Sequence, residues 1–175
     1  MMGPIRRVAL AAGLLLVFQA GCKIPPWPDP TEGSVKVLRP LEAPIPWGKT
    51  CTIMVQGRPG LDDGLRSGLR RRLADDLALL RDAVTRELAI VGIFRKTLVK
   101  GESDYRLKIE VQESDKTSMV VTVVLQEARL EEPVAAYDVV GTASGTTPHA
   151  TPQEATANVT AFFIALGLDQ RRTKP

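Results

Sequence analysis

The sequence predicts an α+β fold, two helices packed on a mostly antiparallel sheet in the order β-α-β-β-β-β-α. Three patterns carry that prediction. From Leu65 to Val91, leucines and valines recur at spacings of three and four (Leu65, Leu69, Leu73, Leu77, Leu80, Val84, Leu88, Val91), which gathers them on one helix face. Residues 104–112 alternate, with Tyr105, Leu107, Ile109 and Val111 to one side and Arg106, Lys108, Glu110 and Gln112 to the other, the pattern of a strand with one covered and one wet face. Thr151, Pro152 and Glu154 together read as a helix start: a capping hydroxyl, a proline at the first helical position and a capping-box glutamate.

Taken in order, residues 1–21 read as an export signal. Arg6 and Arg7 give the positive end, and residues 8–18 are an 11-residue run without charge. That run is too short for a hydrocarbon layer, which takes roughly 20 apolar residues. Gln19-Ala20-Gly21-Cys22 then resembles the lipobox of bacterial lipoproteins, although Gln19 stands where that family prefers an aliphatic residue. The resemblance implies diacylglycerol on the Cys22 sulfur and a further acyl chain on its amine, a combination that holds to membranes where one chain does so only marginally. Lys23, rather than aspartate, follows the cysteine, which by the same resemblance points to the outer membrane, with the domain facing the periplasm.

Residues 22–47 read as the lipidated cysteine and a tether. Seven prolines (25, 26, 28, 30, 40, 44 and 46) remove backbone donors and fix φ, which opposes a regular helix or a central strand. Two tryptophans stand here; Trp27 lies either at lipid headgroups or against the domain.

The domain is expected over residues 48–168. Residues 50–56 form a first strand, stopped by Gly57-Arg58-Pro59-Gly60, and Asp62 is placed to cap the long helix that Gly92 ends. A short strand over 94–99 and the alternating strand follow. After a turn at residues 114–117, the apolar run 119–125 reads as a central strand, and a second turn at Glu131-Glu132-Pro133 leads to a strand over 134–142. Ala155, Val159, Phe162, Phe163 and Leu166 make the apolar face of the last helix, Gly167 closes it, and residues 169–175 form a disordered polar tail.

Composition narrows the function. The formal charge of +3 includes Arg6 and Arg7, so the mature chain carries about +1, without the clustered excess of a nucleic-acid reader. With Cys22 acylated, Cys51 is a lone thiol: a buried small hydrophobe, or less simply a reactive group. The single histidine, His149, sits before the last helix and is expected to be solvated and not catalytic. Asp62 and Asp63 are a carboxylate pair that helix capping explains more simply. Neither a phosphate loop, a metal-ligand spacing nor a nucleophile elbow is present; no metal, cofactor or enzymatic activity is expected. Asn158-Val159-Thr160 matches a glycosylation sequon by chance. The densest charge feature is Arg66, Arg70, Arg71 and Arg72: either a contact for an anionic surface, with Arg66, Arg70 and Arg71 foremost, or a solvated face balanced by Asp75 and Asp76.

A helix ending in Leu88-Ala89-Ile90-Val91-Gly92-Ile93-Phe94, followed by Ser103-Asp104-Tyr105-Arg106-Leu107 opening a long strand, resembles a group of envelope lipoproteins. The group includes the curli-secretion, penicillin-binding-protein-activator and Pel-export lipoproteins and the amino-terminal domain of the Tol-system propeller protein. The resemblance spans roughly residues 50–167. It implies a non-catalytic accessory protein that binds an envelope protein or a polysaccharide, and it allows a homo-oligomer. The alternative is a lipid- or lipopolysaccharide-handling module; the lipopolysaccharide-assembly lipoproteins share the layout, but their aromatic-His-Leu-Arg motif after the cysteine is missing.

Overall fold

The chain enters the fold as a strand, earlier than the sequence predicts. The structure, a computed structural model, describes residues 32–169, with side chains as far as residue 165. The signal over 1–21, Cys22, the first part of the tether with Trp27, and all but the first residue of the expected tail lie outside the described residues. Strand β1 (Gly33–Arg39) corrects the reading of 22–47 as tether and moves the start of the domain forward. It occupies the proline-free gap between Pro30 and Pro40. An edge strand needs hydrogen bonds on one side only and tolerates prolines beside it. Beyond it Leu41 and Ile45 are buried, so the proline-rich segment packs on the core, while Trp47 is exposed.

The remaining elements are β2 (Thr50–Gly57), α1 (Ser67–Val91), β3 (Lys96–Leu98), β4 (Tyr105–Ser114), β5 (Ser118–Glu127), β6 (Pro133–Thr142) and α2 (Pro152–Asp169). The fold is α+β, as the sequence predicts, with one strand more. Six strands form one sheet in the order β1-β6-β5-β4-β2-β3. The pairs β1–β6, β4–β5 and β5–β6 are antiparallel. Strand β2 lies parallel to both β3 and β4, because α1 carries the chain back to the end from which β2 began.

Both helices cover the same face. Helix α2 packs on β1, β5 and β6, α1 on β2 and β3, and the helices on each other. Leu107, Ile109 and Val111 of β4, Val121, Val123 and Leu125 of β5, and Val139 of β6 point into that layer and are fully buried. Each fully buried large apolar side chain in this row contributes about 1.5–3 kcal/mol. Helix α2 lies deep in it: Ala155, Ala157, Val159, Ala161, Phe162 and Ile164 are all buried. Gly141 in β6 allows the approach, since a Cβ there would stand 2.0 Å from Thr156 Oγ1 and 2.5 Å from the Thr156 nitrogen. The cap of α2 is half of the expected box. Glu154 N donates to Thr151 Oγ1 at 3.2 Å, but the Glu154 carboxylate reaches Arg86 of α1 at 3.5 Å.

The leucine face of α1 divides into two halves. Leu80, Ala83, Val84 and Leu88 are buried, and Leu77 packs partly against the core. Leu65 and Leu73 are only half-buried, and Leu69 is 51% exposed, which corrects the expectation of one continuous core face. The fully buried residues of the helix all lie in its second half. Among the described residues no helix is long and apolar enough to cross a membrane.

Candidate interaction surface

Helix α1 begins against local preference. Its N-cap is Arg66, with no side-chain capping bond and no acid in the first turn. Asp62, expected to cap, instead accepts the Leu65 amide through its carbonyl at 3.2 Å, and Asp62 and Asp63 are both exposed. The arginines that crowd this end oppose the helix dipole by about 0.3–1 kcal/mol for each charge in the first turn. Arg66, Arg70 and Arg71 are exposed, and the ion pairs among the described residues involve none of the three. The expected balance by Asp75 and Asp76 does not form as ion pairs. Burial pushes the Asp76 carboxyl above its ordinary range against the pull of Arg72, and Gln153 of α2 donates to it at 3.0 Å.

Beside this half-helix lies a groove of about 300 Å³. Leu61, Leu65, Leu69 and Leu73 line it together with Ser114, Asp115 and Lys116 of the β4–β5 turn, and Arg72 and Asp76 complete it. Asp115 is occupied by its own turn. It accepts the amides of Thr117 and Ser118, both at 2.7 Å, and the Ser118 hydroxyl at 2.8 Å. These donors hold its carboxyl down at about 2. The Ser114 hydroxyl is buried without a partner.

His149 is not the solvated loop residue that the sequence suggests. Its Nδ1 bonds the carboxylate of Glu32, which is 1% exposed. Asn158 Nδ2 of α2 donates to the other carboxylate oxygen at 2.9 Å. A buried carboxylate requires such partners, and the pair fastens the entry of the chain to the β6–α2 loop and to α2. Neither Glu32 nor Asn158 was legible as part of a site: one lay in the presumed tether, the other in a chance sequon.

The two signatures behind the resemblance have a structural role. Gly92 ends α1 in the left-handed conformation (φ 69°), its amide bonded to the Leu88 carbonyl at 3.0 Å. Phe94 then packs on Tyr105, with ring centroids 6.0 Å apart. Asp104 accepts from Lys49 Nζ at 2.8 Å, the Thr50 amide at 2.9 Å and the Thr50 hydroxyl at 3.0 Å. The Lys49 bond and then the Thr50 donors hold its carboxyl well below the ordinary carboxylate range. Asp104 thereby ties the start of β4 to the start of β2. Cys51 beside it is fully buried, and burial pushes its thiol up to about 12, which suits a small core residue and not a nucleophile.

No family model and no curated protein matches the chain. Solved structures do. The PelC dodecamer from Paraburkholderia phytofirmans superposes with a TM-score of 0.53 at 12% identity, over 75% of this chain and 96% of that one. A DUF330 protein from Xanthomonas campestris superposes with a TM-score of 0.51 at 13% identity, over 81% of this chain and 97% of that one. The Pel-export member of the group named from the sequence is thus among the neighbours in fold. The likeness is one of overall fold.

Proposed function

We propose that the chain is a lipid-anchored periplasmic accessory protein of the cell envelope, held by Cys22 in the outer membrane, with a non-catalytic domain that acts by binding. Its place is in an export, secretion or wall-synthesis machine, and its partner is an envelope protein or a polysaccharide. The observation that carries this reading is Ala20-Gly21-Cys22 closing a charge-free run of signal-peptide length, ahead of a domain with the fold of PelC. The PelC neighbour is a dodecamer, which supports assembly of several copies. Arg66, Arg70 and Arg71 are the contact we assign to an anionic surface.

Fatty-acid labelling tests the anchor: label present in the wild type and absent in Cys22→Ser supports it, and label persisting in the variant refutes it. Crosslinking and pull-down from intact cells identifies the partner, and sedimentation of the purified protein gives the number of copies. A second reading, a lipid- or lipopolysaccharide-handling module, is favoured by the leucine-lined groove beside the arginines. Lipid that co-purifies with the wild type and is lost in Leu69→Ser would select it.

A further inference from the structure

We infer that the amino-terminal half of α1 and the groove beside it rest on the phospholipid surface of the membrane that holds Cys22, leucines at the depth of the acyl chains and arginines at the headgroup phosphates. The inference rests on the anchor proposed above and adds an orientation to it. Glu32 leads into β1, and its carbonyl accepts the Thr142 amide at 2.6 Å; the next amide, Ala143, bonds the carbonyl of Thr117 at 2.8 Å. The point of entry and the turn that lines the groove are therefore joined through two adjacent residues. Ten Cα steps separate Cys22 from Glu32, a span of at most about 35 Å. That bound holds the entry end of the sheet within about 35 Å of the anchor, and the opposite end lies a further strand length from the tether, about 34 Å for the ten residues of β5.

The surface presented at the near end is amphipathic. Leu69 is exposed and Leu65 and Leu73 are half-buried. At about 100° per residue Arg66 and Arg70 flank this stripe on one side, without ion pairs, and Arg72 lines the groove. Arginine stems lie along apolar surface while their heads reach phosphate. Asp62, Asp63 and Asp75 leave the patch close to neutral, so apolar insertion drives the contact and the arginines fix its depth.

The test uses the intact lipoprotein in vesicles of phosphatidylethanolamine and phosphatidylglycerol, with a nitroxide on Leu69→Cys or, at the far end, on Leu130→Cys. Both positions are exposed, and buried Cys51 does not take the label. Position 69 should lose access to a water-soluble nickel chelate and gain access to oxygen, while position 130 keeps its access to the chelate. If both stay open to the chelate in protein that floats with the vesicles, the orientation is wrong and the anchor stands. If position 69 loses both reagents, a second copy covers it and the inference fails. If the wild type fails to float and takes label at Cys22, the anchor reading fails and carries this one with it.

Discussion

Glu32 and His149, 117 residues apart in sequence, meet in a bond between a buried carboxylate and the imidazole Nδ1, with Asn158 completing the site. The bond joins Glu32, the residue before β1, to the loop before the last helix. Removing one partner leaves a desolvated charge underpaired, which costs about 1–3 kcal/mol or more. His149→Ala should therefore lower the unfolding free energy by about 1–3 kcal/mol or more, read as a fall in the urea midpoint with an unchanged slope of the transition. Glu32→Ala combined with His149→Ala should cost less than the sum of the single changes. Strict additivity would show that the two residues do not interact in solution.

Asp104 predicts an acid-sensitive stability. Its folded carboxyl titrates below the ordinary value of about 3.9, so its contribution is complete above that pH and drains away as the pH falls through its lower folded value. Lys49, whose ammonium the same bond holds above 10.5, keeps its share up to its ordinary range and loses it only as the pH rises further. Between about pH 4 and pH 2.5, the melting temperature of Asp104→Asn should fall less than that of the wild type. Parallel curves for the two proteins would rule the tie out.

The divided face of α1 gives a contrast within one helix. Leu80→Ala removes a fully buried side chain and should cost about 2–5 kcal/mol. Leu69→Ala, four residues before Leu73 on the same predicted stripe, should stay within about 0.5 kcal/mol. Equal losses in chemical unfolding would restore the continuous face.

Gly141 tests the seat of α2. Adding one methyl at Gly141→Ala drives a carbon into the Thr156 backbone, and overpacking of this kind costs about 1–3 kcal/mol or more. Gly145→Ala, with nothing within 4 Å of the new carbon, should melt with the wild type.

Much of the architecture was legible because periodicity survives in a single chain. The alternation of Tyr105 to Val111 gave β4, and the three-and-four spacing gave α1 with its stop at Gly92. What failed were readings that depend on distant parts. Strand β1 was hidden by its flanking prolines, although Ser34-Val35-Lys36-Val37 alternates; only its pairing with β6 shows that an edge was available there. The exposure of Leu69 was hidden because periodicity reports a helix face, not how far along that face the sheet extends. The role of His149 depended on Glu32, more than a hundred residues away. The arginines were visible from the start, but that they lie at the same end as the chain entry is a property of the topology alone.

The antiparallel ladder between β1 and β6 also determines how the domain bears a load. Its hydrogen bonds run perpendicular to the strands, and the chain leaves β1 from the end marked by Glu32. A pull transmitted along the segment before Glu32, in line with the strand, strains the rungs from Gly33 to Val37 together in shear. Peeling would break them one at a time. The Glu32 carboxylate stands first in that series, clamped by side chains from α2 and the loop before it, so traction is passed into the helical layer before the sheet edge yields.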